Sequence, residues 1–95
     1  MVWDVIYHPE VQDDLDSIGR PEARRILKVI EDRLVNGSPD QSGKRLRGNL
    51  AGCRRIRSGS YRIIYKVNGD RVEVLILAVG PRRGNKVYTN TGKRV

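Results

Sequence analysis

Ninety-five residues with nineteen lysines and arginines against eleven acids, one histidine and one cysteine narrow the possibilities before any motif is read. The length suits one domain around one core; a single cysteine excludes an intrachain disulfide, and His8 with Cys53 falls far short of a zinc ligand set. The net charge of +8 is split unevenly, residues 1–43 carrying −4 and residues 44–95 carrying +12, which points to a polyanionic partner, nucleic acid ahead of an anionic membrane.

The longest apolar run, Val74–Val79, has the length of a buried strand and not of a membrane span. Nothing at the N-terminus reads as a signal peptide. A cytoplasmic protein with no membrane partner and no cofactor is expected. Arginine outnumbers lysine in the basic half, which favours phosphate recognition by planar, forked donors.

In chain order, Val2–Tyr7 reads as a short strand. Pro9 suits a first helical turn, Val11, Leu15 and Ile18 then recur at helical spacing, and Gly19 stops the helix. His8, at a boundary beside proline, reads as structural. A second helix starts near Arg20-Pro21 and ends at Asn36-Gly37, with Ala23, Ile26, Leu27, Ile30 and Leu34 on one face. Ser38–Gly43 is a polar loop, and Lys44-Arg45-Leu46-Arg47-Gly48 a basic approach to the first hairpin strand.

From Gly52 onward two turn signals cut the chain into three strands. Ser58-Gly59 as a two-residue loop sets Arg57 opposite Ser60, Ile56 opposite Tyr61 and Arg55 opposite Arg62. Side chains alternate along a strand, so Arg55, Arg57 and Arg62 then share one face, a juxtaposition of like charges that suits an anion. Asn68-Gly69 as the second turn pairs Tyr65 with Val72 and Ile63 with Val74, on the face that covers the helix hairpin. Arg71–Val79 is expected as the last strand, central and covered on both faces over Val74–Val79. Gly80-Pro81 then sends Arg82 and Arg83 outward. Thr89–Val95 has poor helix propensity, and residues 89–95 are expected to form a loosely ordered tail.

The basic half holds no histidine, no carboxylate pair, no Ser-His-Asp set and no phosphate-binding loop. Catalysis there would rest on arginine, lysine and tyrosine. RNA suits such a set because it carries its own nucleophile, the 2′-hydroxyl. An enzyme that aligns that hydroxyl with the leaving oxygen gains rate from orientation, and guanidinium groups stabilise the charge that develops on phosphorus-bound oxygens. Arginine is always protonated and makes a poor base. Tyr88 can stack on a base or hydrogen-bond near the phosphate. Tyr61 and Tyr65 read as core tyrosines, Cys53 as a small packing residue, and Arg54 as a cap on the helix hairpin, opposite Ile63 and paired with an acid. Arg83, Lys86, Lys93 and Arg94 read as phosphate contacts or a solvated tail.

Lys44-Arg45-Leu46-Arg47-Gly48, then Arg55-Ile56-Arg57-Ser58-Gly59-Ser60-Tyr61-Arg62-Ile63-Ile64-Tyr65, then Val74–Val79 with Gly80-Pro81-Arg82-Arg83 and Val87-Tyr88, resemble the RelE branch of the RelE/ParE toxin superfamily. The resemblance implies an α+β, microbial-ribonuclease-like fold: an N-terminal strand, a helical hairpin and a three-stranded antiparallel meander, over a single unit 1–95. It implies cleavage of messenger RNA in the ribosomal A site, with a cognate acidic antitoxin as the second partner. By position it assigns catalysis to Arg62, Arg82, Tyr88 and the strand residues Arg55 and Arg57. Lys44, Arg45, Arg47, Arg83 and Lys86 are the expected RNA contacts. The best-known member has lysines where this chain has Arg55 and Arg57, so no general base is assigned. The family's C-terminal helix has no evident counterpart in Thr89–Val95. A ParE-like, non-enzymatic inhibitor of DNA gyrase is the alternative on the same fold, and a plain nucleic-acid-binding domain a third reading.

Overall fold

In a computed structural model that describes residues 2–95, the chain opens with strand β1 (Asp4–Tyr7) and turns at His8-Pro9 into helix α1 (Val11–Ile18). Met1, part of the expected unit 1–95, lies outside the described residues. The His8 Nδ1 accepts the Glu10 N–H at 3.1 Å, a structural role at the entry to α1. Gly19, at φ 88°, turns the chain directly into α2 (Arg20–Ile30), a conformation that side-chain-bearing residues rarely adopt. The helical path continues as a π-helical turn over Glu31–Val35, which carries Leu34 into the core and lets Val35 O accept the Trp3 N–H at 3.0 Å.

Among the described residues five strands form one sheet, in the order β1, β5 (Glu73–Pro81), β4 (Tyr61–Asn68), β3 (Cys53–Ser58), β2 (Lys44–Arg45). Strand β2 is a short edge strand beside β3; a turn of 3-10 helix, Gly48–Leu50, lies between them. The antiparallel meander runs through β3, β4 and β5, and β1 adds parallel to β5. The expected α+β order is present, and β5 is covered on both faces as its continuous apolar run requires. On one face α1, α2 and the π-helical turn bury Val11, Leu15, Ile26, Ile30 and Leu34 against Ile56, Ile63, Tyr65, Val74, Ile76 and Val79. On the other, Cys53, Ile64, Leu77 and Ala78 pack under Val87. No helix among the described residues is long and apolar enough to cross a membrane.

Both hairpins pair differently from the expectation. At the first, the loop is Gly59-Ser60 and not Ser58-Gly59, so Ser58 faces Tyr61 and Arg57 faces Arg62. Gly59 takes φ 57°, and a glycine with positive φ belongs at the first position of a two-residue hairpin loop. At the second, a four-residue loop Gly69–Val72 replaces the Asn68-Gly69 turn: Asn68 faces Glu73, Tyr65 faces Ile76 and Ile63 faces Val79. Burial overrides turn chemistry here. The expected register would have put Leu77 opposite Ser60 and Val79 opposite Ser58, running the apolar half of β5 past the end of β4. A bulge opposite Ile64 and Tyr65 then lets Leu77 and Ala78 both join the second core, while Ile76 and Val79 join the first. Arg54 faces Tyr65, not Ile63, and donates to Ser42 O at 3.0 Å rather than to an acid.

The C-terminal residues do not form a loose tail. Lys86–Arg94 is helix α3, laid across the second core with Val87 and Thr91 buried. Its threonines, asparagine and glycine are poor helix formers, and nine such residues are marginal as an isolated helix, so tertiary docking decides. At Gly80 a Cβ would lie 3.1 Å from the Val87 Cβ; the glycine is what lets α3 approach β5 so closely.

Candidate functional site

The alternation of β3 and β4 places Arg55, Arg57 and Arg62 on the α3 side of the sheet, since Cys53 and Ile64 on the same strands face the second core and Ile56 and Ile63 the first. The register change preserves this. Sliding the loop by one residue shifts each cross-strand partner by two, so Arg62 keeps its face and moves from opposite Arg55 to opposite Arg57.

Tyr88 joins the arginines from α3. Its hydroxyl accepts a hydrogen bond from Arg55 Nη1 at 2.9 Å, and the Arg62 guanidinium carbon lies 5.2 Å from the centre of its ring. Because the phenol oxygen accepts from Arg55, its own proton is free to be donated to an incoming acceptor. The Nε of Arg55 and the Nε of Arg62 are buried without a hydrogen-bond partner. A buried, unpaired donor costs about 1–3 kcal/mol, so the cluster is not built for stability.

Arg82 extends the site across β5. Its backbone N–H donates to Ser60 O at 2.9 Å, and its Nη1 donates to Gly59 O at 3.2 Å, so the residue after the last strand is tied to the β3–β4 turn. Arg62, Arg82 and Arg83 line an open recess of about 410 Å³ with Ser60, Tyr61 and Pro81. On the other flank Lys44 faces Arg55 across the β2–β3 pair, which completes a cationic row from β2 to the end of β5.

Other expected contacts are dispersed. Arg45 faces Arg54 and shares the helix-hairpin side of the sheet, and Arg47 is exposed at the start of the 3-10 turn. Lys86 lines a different recess, of about 270 Å³, with Asp14, Ser17 and Asn90 between α1 and α3. Among the described residues, no carboxylate lies within ion-pair distance of Arg55, Arg57, Arg62, Arg82, Arg83 or Lys44. The ion pairs instead occupy the acids of the N-terminal half, as in Arg25–Glu22 at 2.7 Å and Lys28–Asp32 at 3.2 Å.

Arg94 is the residue that sequence reasoning misplaced. It is neither solvated nor a phosphate contact: it pairs with Asp14 and Glu10 beneath α3. The hydrogen bond to Asp14, against an opposing effect of burial, raises its pKa above the usual arginine value, so it stays charged. The available signal was the spacing of Val87, Thr91 and Arg94, which puts all three on one helical stripe.

A cationic row with a central tyrosine is thus carried on one sheet with helices on both faces. A double Arg-to-Ala variant of Escherichia coli toxin RelE in the free state superposes with a TM-score of 0.79 at 25% identity, over 100% of this chain and 99% of that one. A chain of the toxin–antitoxin complex RelBE2 from Mycobacterium tuberculosis superposes with a TM-score of 0.79 at 26% identity, over 88% of this chain and 95% of that one. In sequence, the mRNA interferase toxin RelE of Escherichia coli K12 is 31% identical over 90 residues, covering 86% of this chain and 94% of that protein. The family model for the ParE toxin of type II toxin–antitoxin systems matches residues 5–85. The chain belongs to this RelE/ParE family of toxins.

Proposed function

We propose that the protein is a ribosome-dependent endoribonuclease that cleaves messenger RNA in the A site, held in check by a cognate acidic antitoxin. The observation that carries the reading is the triad of Arg55, Arg62 and Tyr88: two guanidinium groups engage one phenol, with no carboxylate in ion-pair reach to neutralise them. The mRNA interferase name of the Escherichia coli relative supports the choice of reaction, and the toxin–antitoxin complex from Mycobacterium tuberculosis supports the choice of partner.

In the reaction, the 2′-oxygen attacks the adjacent phosphorus, the bond to the 5′-oxygen breaks, and a 2′,3′-cyclic phosphate and a 5′-hydroxyl result. Arg62 and Arg82, which line one recess, take the charge that develops on the non-bridging oxygens. Tyr88, polarised by Arg55, donates its proton to a phosphate or leaving oxygen. The site offers no carboxylate or histidine as base, so the ribosome supplies the alignment of the 2′-hydroxyl and water takes its proton. Arg57 and Lys44 hold the message, and Arg83, Lys86, Arg45 and Arg47 contribute longer-range attraction.

Single-turnover cleavage on programmed ribosomes tests this. Arg82→Ala slows the cleavage step by about a hundredfold or more, in the range of losing one transition-state donor, while message binding weakens far less because many cations share that work. A 2′-deoxy nucleotide at the scissile position abolishes cleavage. Cleavage that survives the deoxy substitution rules the mechanism out; no cleavage at all, with gyrase poisoned instead, transfers the case to the gyrase-inhibitor reading.

A further inference from the structure

Strand β1 ends at Tyr7, opposite Ile76, and past that point side chains meet the β5 backbone. The Asp14 carboxylate accepts the Val79 N–H at 3.0 Å, and Arg94 Nη1 donates to Leu77 O at 2.9 Å. The two side chains also grip each other as a fork, Nη1 to Oδ2 at 2.7 Å and Nη2 to Oδ1 at 3.0 Å, and Arg94 Nε lies 3.3 Å from Glu10 Oε2. The Arg94 side chain is 8% exposed and that of Asp14 10%. One pair thus joins α1, β5 and the end of α3.

Nothing within α3 explains why it is a helix. Its composition opposes one, and its inward stripe runs from Val87 at one end through Thr91 to Arg94 at the other, with Tyr88 packed beside it on the second core. Arginine also suits the negative C-terminal end of a helix. Tyr88 is the neighbour of buried Val87, so the docking of this one helix sets where the phenol stands relative to Arg55 and Arg62.

We propose that Arg94 and Asp14 are positioning residues for the candidate site: their buried fork docks α3 on β5, and α3 in turn holds Tyr88 between Arg55 and Arg62. Neither residue touches RNA in this scheme. A buried pair of this kind contributes less to net stability than to the choice of one geometry, which is the role assigned to it here. The inference rests on the ribonuclease reading for its catalytic consequence and on the fold alone for its structural one.

The test is a double-mutant cycle in single-turnover cleavage. Arg94→Ala slows cleavage at least tenfold, with half-saturation changed by less than about threefold. Tyr88→Ala is slow as well, and adding Arg94→Ala to it causes no further loss, because the second change acts through a residue already removed. Losses that multiply, or an Arg94→Ala protein that cleaves at the wild-type rate, overturn the proposal. Where Arg94→Ala fails to fold, Asp14→Asn, of the same shape, carries the same cycle with the same outcomes. Hydrogen exchange separates this inference from the reading beneath it. In Asp14→Asn the Val79 and α3 amides exchange at least tenfold faster while those of the β3–β4 pair are unchanged. Equal exchange overturns the clamp even if the wild type cleaves RNA. A wild type that fails to cleave, with the α3 amides of Asp14→Asn released, removes the ribonuclease reading and leaves the docking intact.

Discussion

Arg57 and Arg62 face each other directly across β3 and β4, with no acid between them, and the Nε of Arg62 is buried and unpaired. Like charges at a cross-strand pair oppose the sheet that carries them. Arg62→Ala is therefore expected to leave the melting temperature unchanged or raise it by a few degrees, since about 1 kcal/mol shifts a domain of this size by roughly 4–8 °C, while cleavage falls by about a hundredfold or more. Thermal melts beside the ribosome assay check both halves. A melting temperature lowered by ten degrees or more would make Arg62 a structural residue and remove the argument from the cluster.

At the scale of elements, the loop that delivers β2 hangs from Tyr65. This fully buried tyrosine stands 2.9 Å from Pro39 O and 2.8 Å from Ser42 O, with its single proton shared between them, and Arg54 reaches the same Ser42 carbonyl. Burial, partly offset by Arg54 and Arg33, pushes its pKa up from the ordinary 10.0 to about 12. Between those values the unfolded chain releases the proton and the folded chain keeps it. The contribution is therefore complete below pH 10 and is lost as pH rises towards about 12, by roughly 2–3 kcal/mol. Denaturant melts across that window show the decline in the wild type and a flatter profile in Tyr65→Phe; matching slopes would contradict this assignment.

The same scale shows what could be read in the sequence and what could not. The helix hairpin, with Val11, Leu15, Ile26 and Ile30 at helical spacing, is legible because its apolar residues are numerous and local. The meander is legible as strands but not as registers: turn residues name a neighbourhood, whereas the match between Ile63–Tyr65 and Val74–Val79 is settled by burial over the whole pair. Alternation rescues the arginine face from that error, since both slides keep Arg55, Arg57 and Arg62 on one side. Helix α3 is not legible from propensity, because what holds it is docking of Val87 and Thr91 on β5 together with the contact from Arg94 to Asp14, 80 positions upstream. Tyr88 is legible as a candidate; its bond to Arg55, 33 positions away, is not, because it exists only once α3 is docked on the sheet.

For the whole molecule, the division of charge between the halves becomes a division in space. The ion-paired acids Glu22 and Asp32 take partners on the hairpin side and Glu10 and Asp14 pair with Arg94, while among the described residues no carboxylate lies within ion-pair distance of the cationic row from Lys44 to Arg82. Binding of a polyanion or of an acidic antitoxin segment should fall steeply with salt. It should also stabilise the fold by mass action: ligand at about 100 times its dissociation constant adds roughly 2.7 kcal/mol. Melts with a short RNA at low and high salt measure this. A melting temperature indifferent to RNA at low salt would mean the row does not bind it.

The parallel pairing of β1 with β5 joins the first strand of the chain to the last, Asp4 beside Glu73 and Tyr7 beside Ile76. Loops of that length are slow to close, and contacts between distant segments repay their entropy late. The meander, by contrast, is made of neighbours. Folding should therefore proceed with β3, β4 and β5 paired first and β1 added afterwards, bringing α1 and Asp14 within reach of Arg94 only in the last step. Trp3, the only tryptophan and largely buried, reports that step. In stopped-flow refolding its fluorescence change should trail the protection of β3–β4 amides measured by pulsed hydrogen exchange; simultaneous signals would show that the two ends close together. On this order the arginine face exists before Tyr88 is docked, and a chain caught midway holds its charges but not its site.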